Sequence, residues 1–219
     1  MDQLDCDVLI VGGGPTGVTL AILLAKRGIK VIVAEREAAI YPLPRAAHID
    51  HEGIRILQEA DVADEVMATS RRAARYEFRN AKGDLLLCFT GADRIAAGGW
   101  PSANMIHQPS VEAALRRSLA DQPTATLNSR WEWLGHQTDA EGVTARLATP
   151  EGERSIRARY LVGADGARSP VRKAEGIDFV DLNFEEPWLV VDVLVDDAER
   201  LPIANLQICN PERPTTCVL

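Results

Sequence analysis

Apolar positions near the start of the chain run in an unbroken block instead of alternating with polar ones. Within Cys6 to Val11, residues Val8, Leu9, Ile10 and Val11 follow one another, the pattern of a central parallel strand covered on both faces. The turn Gly12-Gly13-Gly14 comes next. From about Pro15 to Arg27, Val18, Ala21, Ile22 and Ala25 recur at helical spacing. Pro15 suits a first helical turn, where its missing N–H matters least, and Gly28 supplies the stop. Lys30 to Ala34 (KVIVA) then reads as a second strand ending at Glu35, which completes a βαβ unit.

Beyond this unit the pattern loosens. Pro42-Leu43-Pro44 marks a loop, Asp50 to Ala60 a helix, and residues 75–79 and 85–89 the strands of a hairpin around Lys82-Gly83-Asp84. Gly98-Gly99-Trp100-Pro101 breaks the chain before an amphipathic helix from Pro109 to Leu119. Strands are expected at 130–135, 143–147, 154–158 and 159–162, a short helix after Ser169, and a strong strand from Trp188 to Val195. Ile203 to Cys209 and Thr216 to Leu219 also read as strands. Strands joined by helices early, with hairpins inserted later, imply an α/β fold: a Rossmann-like βαβ core with a parallel sheet, carrying part of an antiparallel β-sheet domain.

Composition narrows the class. Of 219 residues, 46% are hydrophobic and 26% charged, with a formal net charge of −8. That is a globular mix without a basic nucleic-acid footprint. No apolar run approaches the roughly 18 residues of a membrane span, and the opening MDQLDCD is acidic, unlike a signal peptide. Cys6, Cys88, Cys209 and Cys217 are scattered without metal-ligand spacing, which fits reduced thiols in a cytoplasmic protein and no metal site. The chain stops on the apolar Cys217-Val218-Leu219. An unpartnered hydrophobic strand there invites aggregation, so the expectation is the N-terminal part of a longer protein.

Chemistry enters at the first turn. Gly12, Gly14 and Gly17 satisfy GxGxxG between a strand and a helix, and Glu35 lies 23 positions beyond Gly12 at the end of the second strand. In such a unit the first glycine permits the turn, the second lets backbone approach a pyrophosphate, and the third lets helix and strand pack. The carboxylate accepts from ribose hydroxyls. The free N–H groups of the helix start, around Pro15 and Thr16, favour an anion by roughly 0.3–1 kcal/mol. Arg36 reads either as a 2′-phosphate ligand or as a solvated loop residue, and the fingerprint alone does not separate NAD from FAD.

Residues 160–172, YLVGADGARSPVR, run a strand into Asp165-Gly166, followed by Arg168, Ser169 and Arg172. Together with GGGPTG and Glu35-Arg36, this segment resembles the DG motif of the single-component, p-hydroxybenzoate hydroxylase-like FAD monooxygenases. The resemblance implies that Asp165 contacts the ribityl and pyrophosphate region of FAD and that Gly166 permits the approach. Pro44-Arg45-Ala46 resembles the loop whose arginine lies along FAD. Ile106-His107-Gln108-Pro109 resembles the segment whose glutamine contacts the cofactor, which makes Gln108 a candidate. Phe184 to Val195 and Cys209 to Pro214 are similar to the 3-(3-hydroxyphenyl)propionate and resorcinol hydroxylase branch. By that resemblance, residues 1–73 and 101–180 form a discontinuous FAD-binding domain, and 74–100 with 181–219 part of a substrate-binding β domain.

The implied function is hydroxylation of a phenolic or other aromatic acid by O₂ through a flavin hydroperoxide, with NADPH or NADH as reductant and a homodimer as one assembly. The runners-up are a related flavin epoxidase, halogenase or reductase, and a nucleotide-binding module without turnover. Two departures stand out. The family's GDAAH-type flavin segment does not occur, and Arg45-Ala46-Ala47-His48 lacks the aspartate that related phenol hydroxylases carry after Arg-Ala. A base is still expected near a phenol. His48, with Asp50 and His51 close behind, is the candidate, because histidine's ordinary pKa lies near 6.5; the alternative is a polar residue at a helix start. Trp131 and Trp133 read as one core-facing side of a strand, and Arg71, Arg72 and Arg75 as a solvated face or a coenzyme phosphate site.

Overall fold

The computed structural model describes residues 4–72, 75–197, 200–201 and 204–218. The expected βαβ unit consists of β1 (Cys6–Val11), α1 (Pro15–Ala25) and β2 (Val31–Glu35). A small three-stranded sheet follows from β3 (His48–Asp50), β4 (Arg71–Arg72) and, later, β7 (Ala103–Met105). Between β3 and β4 lie α2 (His51–Glu59), where a helix was expected and which is capped by Asp50 Oδ1 accepting from the Gly53 amide, and α3 (Ala63–Thr69), which was not expected. The hairpin β5 (Arg75–Asn80) and β6 (Leu85–Thr90) stands where it was expected, and α4 (Gln108–Ala120) follows β7.

The main sheet is completed by β8 (Ala125–Ser129), β9 (Glu132–Asp139), β10 (Gly142–Thr149) and β11 (Gly152–Gly163). Its order is β8-β2-β1-β11-β10-β9. Four neighbouring strands, β8, β2, β1 and β11, run parallel, while β10 and β9 extend the sheet as an antiparallel meander. The expected pair of strands at 154–158 and 159–162 is one strand, β11. Its first part pairs with β10 and its last residues, from Ala158, pair with β1. The expected strand at 130–135 begins later, at Glu132, because Arg130 adopts a left-handed φ of 61° that breaks the extended run after β8.

Both faces of the parallel strands are covered, which explains the unbroken apolar block. On one face Val8, Ile10, Val31 and Val33 pack with Val18, Ala21 and Ile22 of α1 and Val111 and Leu115 of α4. On the other, Leu9 and Ala34 pack with Val143, Ala145, Leu147 and Ile156 of the meander. After β11 come α5 (Pro170–Ala174), β12 (Asn205–Cys209) and β13 (Thr215–Cys217). These last two strands join the earlier hairpin in a sheet of order β13-β12-β5-β6. The expected start of one strand at Ile203 and the end of the other at Leu219 lie outside the described residues.

One expected strand does not form. Trp188 to Val195 has no ladder partner among the described residues, and Trp188, Leu189, Val190, Val191 and Leu194 are all exposed. Consecutive apolar side chains make a strand only where neighbours satisfy its backbone and cover both faces; this stretch has neither. Among the described residues no helix is long and apolar enough to cross a membrane, and no group of His, Cys, Asp and Glu side chains is placed to hold a metal.

Candidate functional site

Strand register builds the site. Val11 lies opposite Gly163 on one side and Ala34 on the other, so the turns after β1 and β11 and the end of β2 meet at one edge of the sheet. Ligands of open α/β sheets bind at this carboxyl edge. The Gly12 amide donates to the Ala34 carbonyl at 2.8 Å and the Ala164 amide to the Val11 carbonyl at 2.7 Å. Gly12 has φ of 109°, and a Cβ there would lie 2.6 Å from the carbonyl carbon of Ala164 and 2.9 Å from the Asp165 nitrogen. A side chain on Gly17 would collide with the Gly12 carbonyl oxygen. Around Gly14, by contrast, a Cβ would meet nothing within 4 Å.

Glu35 is held from both sides. Its Oε2 accepts from the Gly13 amide at 2.6 Å and its Oε1 from the Glu37 amide at 2.7 Å. Each carboxylate oxygen keeps a lone pair for a further donor such as a ribose hydroxyl. Gly14 caps α1 with no side-chain bond, and Pro15 occupies the first turn. The amides of Thr16 and Gly17 therefore begin the helix without intrahelical acceptors.

On the facing turn, Asp165 Oδ2 accepts from the Val171 amide at 3.1 Å, and Ser169 caps α5 by accepting from the Arg172 amide at 2.9 Å. Asp165 Oδ1 is buried with no hydrogen-bond partner among the described residues. Gly166 takes φ of 83° and lets the chain turn away immediately. Gln108, first residue of α4, reaches across to the loop before β3: its Oε1 accepts from the Ala46 amide at 2.7 Å and the Arg45 amide at 3.2 Å. The Arg45 guanidinium sits 4.3 Å from the centre of the Tyr41 ring.

These groups surround a cavity of about 310 Å³. Gly12, Gly14, Pro15, Thr16, Glu35, Arg36, Arg45, Gln108, Asp165 and Gly166 line it. Gly17 and His48 do not. Gly17 is buried under the turn, and His48 is exposed on β3, opposite Met105. Arg36 is exposed, with its Nε 3.1 Å from Glu37 Oε1.

A model of the FAD binding domain matches residues 5–213. The chain belongs to the FAD binding domain family. It is 36% identical over 215 residues to a probable NADH-specific resorcinol 4-hydroxylase of Rhodococcus jostii, covering 97% of this chain and 40% of that protein. It is 38% identical over 216 residues to a 3-(3-hydroxy-phenyl)propionate/3-hydroxycinnamic acid hydroxylase of Comamonas testosteroni, covering 97% and 36%. Among solved structures, p-nitrophenol 4-monooxygenase of Pseudomonas putida superposes with a TM-score of 0.74 at 27% identity, over 80% of this chain and 44% of that one. Aklavinone-11 hydroxylase, solved with FAD and aklavinone, gives 0.69 at 33% identity, over 80% and 36%. The chain thus spans about two fifths of the length of the curated relatives it matches.

The residues fit FAD. An unspent acceptor at Asp165 Oδ1 suits a hydroxyl donor, and the open space at Gly14 admits a diphosphate. Several lining residues escaped the sequence reading. Glu112 and Arg116 follow Gln108 at steps of four on α4, so the helical period alone places them on one face. Arg116 Nη2 donates to the Gly13 carbonyl at 3.3 Å while its Nε is buried without a partner among the described residues. Trp131, assigned by sequence to the core, lines the cavity as well as packing on the second core. Its amide donates to the Glu35 carbonyl at 2.9 Å. Adjacency of β8 to β2 is the fact needed to foresee that, and periodicity does not contain it.

Proposed function

We propose that this chain is the FAD-holding part of a flavin monooxygenase that hydroxylates a phenolic or related aromatic acid, using O₂ and NADH or NADPH. The observation that carries the reading is the backbone contact of the GGGPTG turn with the Ala164-Asp165-Gly166 turn, which joins both fingerprints at one cavity. The curated relatives, named as resorcinol and hydroxyphenylpropionate hydroxylases, support the substrate class.

Bound FAD supplies the redox chemistry, taking up hydride and activating dioxygen. The chain's own contribution is to bind and orient. Glu35 receives the ribose, the start of α1 and Gly14 receive the diphosphate, Asp165 accepts from the ribityl chain, and Arg45 lies along the cofactor. Gly17 closes the turn beneath. His48 is carried as the candidate base, although it is exposed on β3 and does not line the cavity. In this reading residues 1–73 with 101–180 hold the cofactor, and 74–100 with 181–219 contribute to the substrate side; the shared sheet of β5, β6, β12 and β13 supports that division. In this reading the protein works in the cytoplasm.

Titrating the purified chain with FAD, followed by flavin fluorescence and the visible spectrum, tests the cofactor assignment. Coenzyme oxidation stimulated by phenolic acids, measured with the protein carrying this chain, tests the reaction. A second reading, FAD binding without turnover, is favoured by the exposed apolar run from Trp188 to Leu194. Bound flavin with no substrate-stimulated oxidation would select it, and absence of bound flavin would remove both.

A further inference from the structure

We propose that Glu112 is a positioning residue: it fixes which way round the Gln108 carboxamide sits, and through it holds the Arg45-Ala46 loop against the cavity. Glu112 lies one turn beyond Gln108 on α4 and is 8% exposed. Gln108 Nε2 donates to Glu112 Oε1 at 2.7 Å. A carboxylate oxygen accepts, so the NH₂ group of Gln108 must face it, and the amide oxygen is left for the loop. That oxygen accepts from the Ala46 amide at 2.7 Å and the Arg45 amide at 3.2 Å. The opposite orientation would set NH₂ against two N–H donors and oxygen against oxygen, three mismatched contacts in one place.

Arg45 is consequently fixed at both ends, its amide by Gln108 and its guanidinium over Tyr41. The residue that the family resemblance makes a direct cofactor contact spends its carboxamide on the loop and on Glu112. Its effect on the cofactor then passes through Arg45. The geometry of this relay stands by itself, while its consequence for FAD rests on the reading proposed above.

Hydrogen exchange of the Arg45 and Ala46 amides, measured on the chain without cofactor, reads the relay directly. Glu112→Leu and Gln108→Leu should each speed exchange of Ala46 roughly tenfold, the effect of losing one hydrogen bond. Glu112→Gln, which keeps an acceptor, should stay near the wild-type rate. The double leucine variant should be no faster than Gln108→Leu alone, because both act on one bond. Wild-type exchange at Ala46 in a folded Glu112→Leu variant would overturn the proposal.

A charge swap covers the case in which Glu112→Leu does not fold. Gln108→Glu sets two carboxylates together and should loosen Ala46, whereas Q108E/E112Q restores a donor opposite the new carboxylate and should return the slow rate. A swap no slower than Gln108→Glu alone also overturns the relay. FAD titration of the same proteins should show affinity falling several-fold in Glu112→Leu and recovering in Glu112→Gln. If no variant and no wild-type chain binds FAD while the exchange pattern holds, the cofactor reading fails and the relay stands.

Discussion

Gly12 and Ala164 are in backbone contact: a Cβ on Gly12 would lie 2.6 Å from the Ala164 carbonyl carbon. The first glycine of the nucleotide turn is therefore needed as much by the neighbouring strand β11 as by any ligand. Its φ of 109° adds a conformation that L-residues rarely adopt. Neither the strand nor the turn can retreat, because Ala164 N and Gly12 N are both bonded to the sheet. Gly12→Ala should lower stability by more than about 3 kcal/mol. Thermal or urea unfolding of the chain without FAD checks this, and a loss confined to FAD affinity would count against it.

Gly14 predicts the opposite split. A Cβ there meets nothing within 4 Å, and its φ of −77° is ordinary for any residue. Gly14→Ala should leave unfolding free energy within about 1 kcal/mol of wild type, with a gain where the unfolded chain loses freedom. In the proposed reading the new methyl occupies the space assigned to the diphosphate, so FAD affinity should fall tenfold or more, about 1.4 kcal/mol. Equal losses in stability and affinity would show that the open space has another purpose.

How much of this was legible from the chain alone follows from what each signal depends on. The βαβ unit, the Gln108 helix and the β5–β6 hairpin were readable because their periodicity and turns are local. The cavity's outline was readable at Gly12, Glu35 and Asp165 because the GxGxxG turn, the acidic end of the second strand and the Asp-Gly turn are short patterns of fixed spacing. Glu112 and Arg116 share the face of Gln108 by helical period and went unread, whereas Trp131 was out of reach, since its place depends on which strands become neighbours. Trp188 to Val195 misled for the same reason in reverse. Its composition asks for a strand, but a strand exists only with partners, and among the described residues none pairs with it.

Cys6 sits 1% exposed in the second core, and burial pushes its thiol up from 9.0 to about 11, against a smaller opposing effect of its backbone hydrogen bond with Ile32. At pH 8 the folded chain should keep Cys6 protonated and unreactive, while exposed Cys209 reacts with an aromatic disulfide reagent. Because the folded value is the higher one, this contribution to stability is complete below pH 9.0 and lost as pH rises through about 11. Thiol counting on native and urea-unfolded protein, with mass mapping of the labelled cysteines, checks the assignment; rapid native labelling of Cys6 would contradict it.

Asp139 titrates the other way. The Arg157 side chain, 2.7 Å from its Oδ1, holds this carboxyl below the usual 3.8, helped by the Glu141 and Gly142 amides. A depressed folded value gives stability that is present above pH 3.8 and disappears as pH falls through the lower folded value. The carboxylate is exposed, so solvent screens the effect. Asp139→Asn should therefore destabilise slightly at pH 7 and by less at pH 3, below the ordinary carboxyl value of 3.8. Parallel urea melts at the two pH values compare them, and a pH-independent difference would place the effect in the turn and not in the charge.

Glu35 offers the sharpest test of the cavity, because its two oxygens both accept. Oε2 takes the Gly13 amide at 2.6 Å and Oε1 the Glu37 amide at 2.7 Å, so the end of β2 and the nucleotide turn are tied through one carboxylate. Glu35→Gln keeps the shape but owns only one acceptor oxygen, so whichever way it turns, an NH₂ group faces an N–H donor. A mismatch of that kind costs roughly 1–3 kcal/mol. The variant should lose about that much unfolding free energy, and FAD affinity should fall further, because one of the two oxygens that can accept from a ribose hydroxyl is replaced by an NH₂ group. Glu35→Ala leaves both the Gly13 and the Glu37 amides without their acceptor, so it should destabilise the free chain at least as much as Glu35→Gln does, while binding FAD no better. Stability measured by urea unfolding and affinity measured by flavin titration, on all three proteins, decide the matter. An alanine variant as stable as wild type would show that water replaces the carboxylate at both amides and that Glu35 does not tie the turn to β2.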